Sequence, residues 1–102
     1  MMIKYNKLVR DKIPEIIEQK GGKCTIRIAD EKEYCEKLVS KLREETDEFI
    51  EAQNEEELAD LLEVIDAVIE CKKFDRKKIE LVRNKKAEER GRFEKRIILE
   101  EA

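Results

Sequence analysis

Apolar residues recur along most of the chain at spacings of three and four, the rhythm that lays one face of an α-helix against a core. From Asn54 onward the series is Leu58, Leu61, Leu62, Ile65, Val68 and Ile69. Ahead of it, Tyr34, Leu38, Leu42, Phe49 and Ala52 form a second stripe, on a helix that begins near Asp30 with Glu33 three residues on as a capping box. Only a few residues separate the two, which predicts an antiparallel helix hairpin. A shorter helix follows Pro14, a residue suited to the first helical turn, and stops at Gly21-Gly22. The last opens near Asp75, turns Ile79 and Val82 inward and ends at Gly91. The expected fold is all-α, a compact bundle of about four helices around the central hairpin.

Two segments leave the helical rhythm. Residues 23–29, KCTIRIA, alternate Cys24, Ile26 and Ile28 against Thr25 and Arg27, a strand signal of minimal length. Residues 96–101, RIILEE, either pair with it as a small β element or extend a helix; the pattern leaves both open. No repeat or low-complexity tract divides the chain, so a single domain over residues 1–102 is expected.

The hairpin carries an anomaly. Residues 44–62, EETDEFIEAQNEEELADLL, crowd nine acids into nineteen positions. At 100° per residue most of those on the later helix fall on an ordinary solvated face, but Glu57 and Asp60 lie on the flank shared with Val64, Ala67 and Val68. On the earlier helix, Glu45 occupies the position that continues the apolar stripe between Leu42 and Phe49, with Glu48 one turn along at its edge. A carboxylate on such a surface costs several kcal/mol, in order of magnitude, unless a cation or donor compensates it. Four converging carboxylates require a cation, and an oxygen-only set favours Mg²⁺, with Mn²⁺ as a substitute. The chain has no His, which sets aside helical diiron sites. Capping competes as an explanation for Glu57, three residues after Asn54, but not for Glu45 or Asp60.

Composition narrows the rest. Charged residues are 48% of 102 and aromatic ones 5%, with one Pro, and the net charge of −3 conceals an uneven distribution. Residues 31–70 carry four basic and fifteen acidic groups, whereas residues 71–96 carry twelve and five. No apolar run reaches membrane-spanning length and the start lacks the apolar core of a signal peptide, so a cytoplasmic protein is expected. Cys24, Cys35 and Cys71 are odd in number and widely spaced, which indicates neither a disulfide framework nor zinc and predicts small core residues.

Glu44-Glu45-Thr46-Asp47-Glu48 as EExxE, followed by Glu57-Leu58-Ala59-Asp60 as ExxD with Leu61-Leu62 after it, resembles the all-α nucleoside triphosphate pyrophosphohydrolases. This is the MazG-like superfamily that includes phosphoribosyl-ATP pyrophosphohydrolase. The opening YNKLVRDKIPEII and the closing EERGRFEKRIILEE look like a small, single-domain house-cleaning branch of it. The resemblance implies a helical core, dimeric or larger, in which Mg²⁺ assists hydrolysis of a noncanonical nucleoside triphosphate to monophosphate and pyrophosphate. It also implies that Glu45, Glu48, Glu57 and Asp60 are metal ligands, and that Glu44 is an accessory ligand or orients the attacking water. One departure is visible: eight residues separate Glu48 from Glu57, a shorter hairpin than the wider family usually has.

Hydrolysis of a phosphoanhydride also needs cations for the phosphate oxygens. Lys7, Arg10 and Lys12 precede the first helix, and Arg83, Lys86 and Arg90 are spaced to share one face of the last. Solvated helix faces are the competing explanation for each. Asn6 is a candidate for a nucleobase edge, and Tyr5 or Phe93 for stacking, although aromatics serve more often as core. The alternative to an enzyme is a noncatalytic helical dimer that binds nucleotide or a protein; a scaffold of that kind would gain from Leu at position 45. A nucleic-acid module built on residues 72–96 is disfavoured by the acidic middle and the scarcity of aromatics.

Overall fold

A computed structural model describes residues 3–102. It holds four helices, α1 Ile13–Gln19, α2 Glu31–Ala52, α3 Glu55–Cys71 and α4 Arg76–Arg90. Their boundaries follow local chemistry. Asp30 Oδ1 accepts the Glu33 amide at 2.8 Å, Asn54 Oδ1 that of Glu57 at 2.9 Å and Asp75 Oδ1 that of Lys77 at 2.9 Å, so each longer helix begins on an Asx cap. The box at Asp30 is half made: the Glu33 carboxylate turns away to the Arg27 guanidinium, at 2.6 and 2.7 Å. α1 carries Pro14 in its first turn and ends where Gly21 takes φ +84° and the Gly22 amide donates to the Ile17 carbonyl at 3.0 Å.

Gln53 in the left-handed region, φ 49° and ψ 46°, reverses the chain between α2 and α3. That two-residue turn forces the helices antiparallel, and the extensive packing of helix on helix lies between them. Leu38 and Val64 are the buried apolar residues, with Leu42, Phe49, Leu61, Val68 and Ile69 half-buried around them. The antiparallel register also brings the second turn of α2 to the last residue of α3. Cys35 and Cys71, 36 positions apart, meet there as a disulfide with 5.8 Å between Cα atoms. This corrects the expectation of three unpaired cysteines: spacing along the chain carries no information about a pairing created by helix register. Cys24 remains free and half-buried.

No strand forms among the described residues. Residues 23–29, despite their alternation, and residues 96–101 have no ladder partner, and Ile26, Ile28, Ile97 and Ile98 are all exposed. The Arg27–Glu33 pair instead ties the first segment to the start of α2. The chain divides into two compact units, Met1–Lys72 and Lys73–Ala102. The first holds the hairpin and its core. The second, built on α4, has no buried residue; Ile79 and Val82, expected to face inward, are exposed because nothing within the unit covers them. No helix among the described residues is long and apolar enough to cross a membrane.

Candidate metal centre

Four acids of the hairpin, and a fifth beside them, meet on facing flanks of α2 and α3. Ligand atoms of Glu44, Glu45 and Glu48 lie within 4.8 Å of one another, and so do those of Glu45, Glu57 and Asp60. The acids thus form two overlapping triplets that share Glu45, rather than a single nest of four. Glu45 is 7% exposed, as its place in the apolar stripe of α2 predicts. Glu44, Glu57 and Asp60 are half-buried, and Glu48 is exposed at the rim.

The buried centre of the cluster is under-compensated. Glu45 Oε2 and Glu57 Oε2 are both buried without a hydrogen-bond partner. A buried carboxylate oxygen normally has one, because an unmet acceptor forfeits its hydration for nothing. Capping therefore does not account for Glu57: its amide is used by Asn54, yet Oε2 points into the protein unmatched. Burial raises the pKa of Glu45 above the usual carboxylate value, and the nearby Glu48 charge raises it further, against the opposing pull of Lys41.

Cations hold the rim. Lys41 Nζ lies 3.4 Å from Glu45 Oε1 and 3.8 Å from Glu44 Oε2, and its side chain is largely buried. Sequence reasoning passed over this lysine, although its placement three and four residues before the two glutamates is the spacing at which helix neighbours pair. Lys7 Nζ is 3.6 Å from Glu44 Oε1, and Arg10 Nη2 donates to Asp60 Oδ1 at 2.8 Å. Two of the candidate phosphate ligands are thus brought to the acids. Lys12 is not; it is the N-cap residue of α1 and its ammonium meets no carboxylate among the described residues.

The base candidates are exposed. Asn6 takes φ 45° and its carbonyl accepts from Lys37 Nζ at 3.2 Å, leaving its side chain in solvent. The Tyr5 ring has Lys7 Nζ 5.9 Å from its centroid. Arg83, Lys86, Arg90 and Phe93 belong to the second unit, where all four are exposed and Arg83 pairs with Glu80 at 3.6 Å.

Chemically, the cluster offers only carboxylate oxygens as ligands, two of them buried and unmatched. That donor set fits a hard divalent cation. No family model, no curated protein and no solved structure matches this chain.

Proposed function

We propose that the chain is a Mg²⁺-dependent nucleoside triphosphate pyrophosphohydrolase acting on noncanonical nucleotides, with Mn²⁺ able to replace Mg²⁺. The observation that carries the reading is Glu45, nine-tenths buried yet with one oxygen unmatched, at the junction of two acid triplets. A protein selected for the hairpin alone would gain from an apolar residue such as Leu there, in keeping with the rest of the stripe. The motif resemblance described above points the same way.

In this reading Glu45, Glu48, Glu57 and Asp60 hold the metal. A bound divalent cation supplies two things at once, neutralisation of charge spreading over phosphate oxygens and a more acidic water. The chain's own groups do the remaining work. Glu44, half-buried beside Glu45, accepts a hydrogen bond from the attacking water and so orients it toward phosphorus. Lys41, 3.4 Å from Glu45 and 3.8 Å from Glu44, offsets part of their mutual repulsion. Lys7 and Arg10, already at the cleft, are placed to meet the phosphates. Lys12 enters the proposal as a further cation for the same charge, and Asn6 as a contact to the base.

The proposal includes self-association as a homodimer or larger assembly. Leu58, Leu62 and Ile65 form an exposed apolar stripe on α3, which a second copy would cover. Cytoplasmic residence follows from the substrate. There the Cys35–Cys71 pair meets a reducing thiol pool, shielded only by its partial burial.

A second reading has its own observation. Lys7, Arg10 and Lys41 already neutralise part of the acid cluster, as they would in a noncatalytic dimer held by ionic contacts. Glu45→Gln separates the two. The enzyme reading expects Mg²⁺-dependent pyrophosphate release from a panel of canonical and damaged nucleoside triphosphates to fall by at least about a hundredfold, while far-ultraviolet circular dichroism stays constant. Undiminished release by the variant removes Glu45 from the chemistry; no release by either protein, across the whole panel, favours the scaffold.

A further inference from the structure

The irregular segment before α1 crosses the hairpin from one helix to the other. Its first tether is on α2, where Lys37 Nζ donates to the Asn6 carbonyl at 3.2 Å. Lys7 then reaches Glu44 of the first acid triplet, and Arg10 reaches Asp60 of the second, on α3. Between them the Leu8 side chain is half-buried. Each triplet thus receives one cation from this segment. Both pairs are at the rim, with Lys7 and Glu44 side chains 49% and 38% exposed and Arg10 and Asp60 57% and 44% exposed. Neither reaches the floor, where Glu45 Oε2 and Glu57 Oε2 stay unmatched.

We propose that residues 6–10 are a displaceable strap: Lys7 and Arg10 stand in for metal at the acidic cleft, a divalent cation releases them, and the freed side chains close on nucleotide phosphates. The proposal rests on the reading of the cleft as a metal site and adds a coupling to it. Exposed ion pairs are individually weak, so a dication that also satisfies the buried oxygens outcompetes them. Once the acids bind metal, the guanidinium and ammonium face a positive neighbour instead of a negative one. Their favourable partner is then the substrate's phosphate charge, to which Arg10 can offer a two-pronged donor. Metal and nucleotide thereby bind in order, metal first, and the strap keeps the acids compensated when neither is present.

The test uses the full-length chain and Mn²⁺ alone as probe, without nucleotide, at low ionic strength so that the rim pairs are not screened. The double variant Lys7→Gln/Arg10→Gln should bind Mn²⁺ about fivefold more tightly than the wild type, as expected for losing two exposed competitors of a few tenths to one kcal/mol each. Lys4→Gln removes a charge of the same sign three residues from Lys7 without removing a contact to the acids, and should shift affinity by less than about twofold. In the wild type, Mn²⁺ should also accelerate tryptic cleavage after Lys7 and Arg10 severalfold, a readout that needs no variant to fold. Equal Mn²⁺ affinity in the wild type and the double variant, with cleavage indifferent to metal, overturns the strap while leaving the metal site intact. Absence of Mn²⁺ binding in every protein overturns both.

Discussion

The α2–α3 hairpin and α4 are made from similar materials and come to different ends. Helices α3 and α4 are 17 and 15 residues long, both open on an Asx cap, and both are dense in charge. On α3 the charges flank a continuous apolar stripe, and the helix packs against α2 over a core of Leu38 and Val64. On α4 the apolar residues are too few to form such a stripe, and none is buried. The difference teaches where charge is informative. A carboxylate on a packing surface, such as Glu45, is anomalous enough to ask for a reason; an arginine on a helix that buries nothing, such as Arg83, is what solvation alone would place there.

The largest test of that contrast concerns the bridge. Cys35→Ser removes the covalent tie at the open end of the hairpin, and for a loop of this length the chain-entropy model expects a loss of about 4 kcal/mol. Amide exchange should quicken in α2 and α3 and stay as it was in α4; a uniform change would mean that the two units unfold together. Next, Leu38→Ala should cost about 3 kcal/mol through lost burial and a residual cavity, whereas Leu81→Ala, at a site 70% exposed, should stay within about 0.5 kcal/mol. Chemical denaturation of both variants reads the ratio, and comparable losses would erase the distinction between the helices.

The smallest effect is titratable. Glu45 has its folded pKa above the unfolded value, so its contribution to stability is complete below about pH 4.3 and is lost as pH rises through the raised value, where folding must bury a charge. Metal-free Glu45→Gln should lack that decline and exceed the wild type by about 1 kcal/mol at pH 7. Thermal melts from pH 4 upward check it, and millimolar Mg²⁺ should raise the midpoint of the wild type only. A decline of equal slope in both proteins would assign the pH dependence to other acids.

Most of the helical architecture was legible because it is local. Asp30, Asn54, Asp75 and the glycines at 21–22 and 91 each mark a boundary through contacts within a few residues, and the structure starts and ends its helices there. The burial of Glu45 and the half-burial of Glu57 and Asp60 were legible too, as interruptions in a periodic face. What escaped depended on partners distant in the chain. The Cys35–Cys71 pair follows from antiparallel register, the unformed strands from the lack of a ladder partner, and the rim cations Lys7 and Arg10 from the path of an irregular segment whose direction no period encodes. Lys41 was readable from its spacing to Glu44 and Glu45, but in so charged a helix such spacings are common.

The disulfide has a topological consequence for the acids. Cys35 and Cys71 enclose most of α2, the turn and α3 in one covalent ring, and Glu44, Glu45, Glu48, Glu57 and Asp60 all lie within it. A single cut at Gln53 or Asn54 would therefore open the ring without parting the two helices that carry the acids. The turn lies outside both helices, so there the polypeptide could be severed, lengthened or given new ends with every acid still tethered to its neighbours and neither helix interrupted.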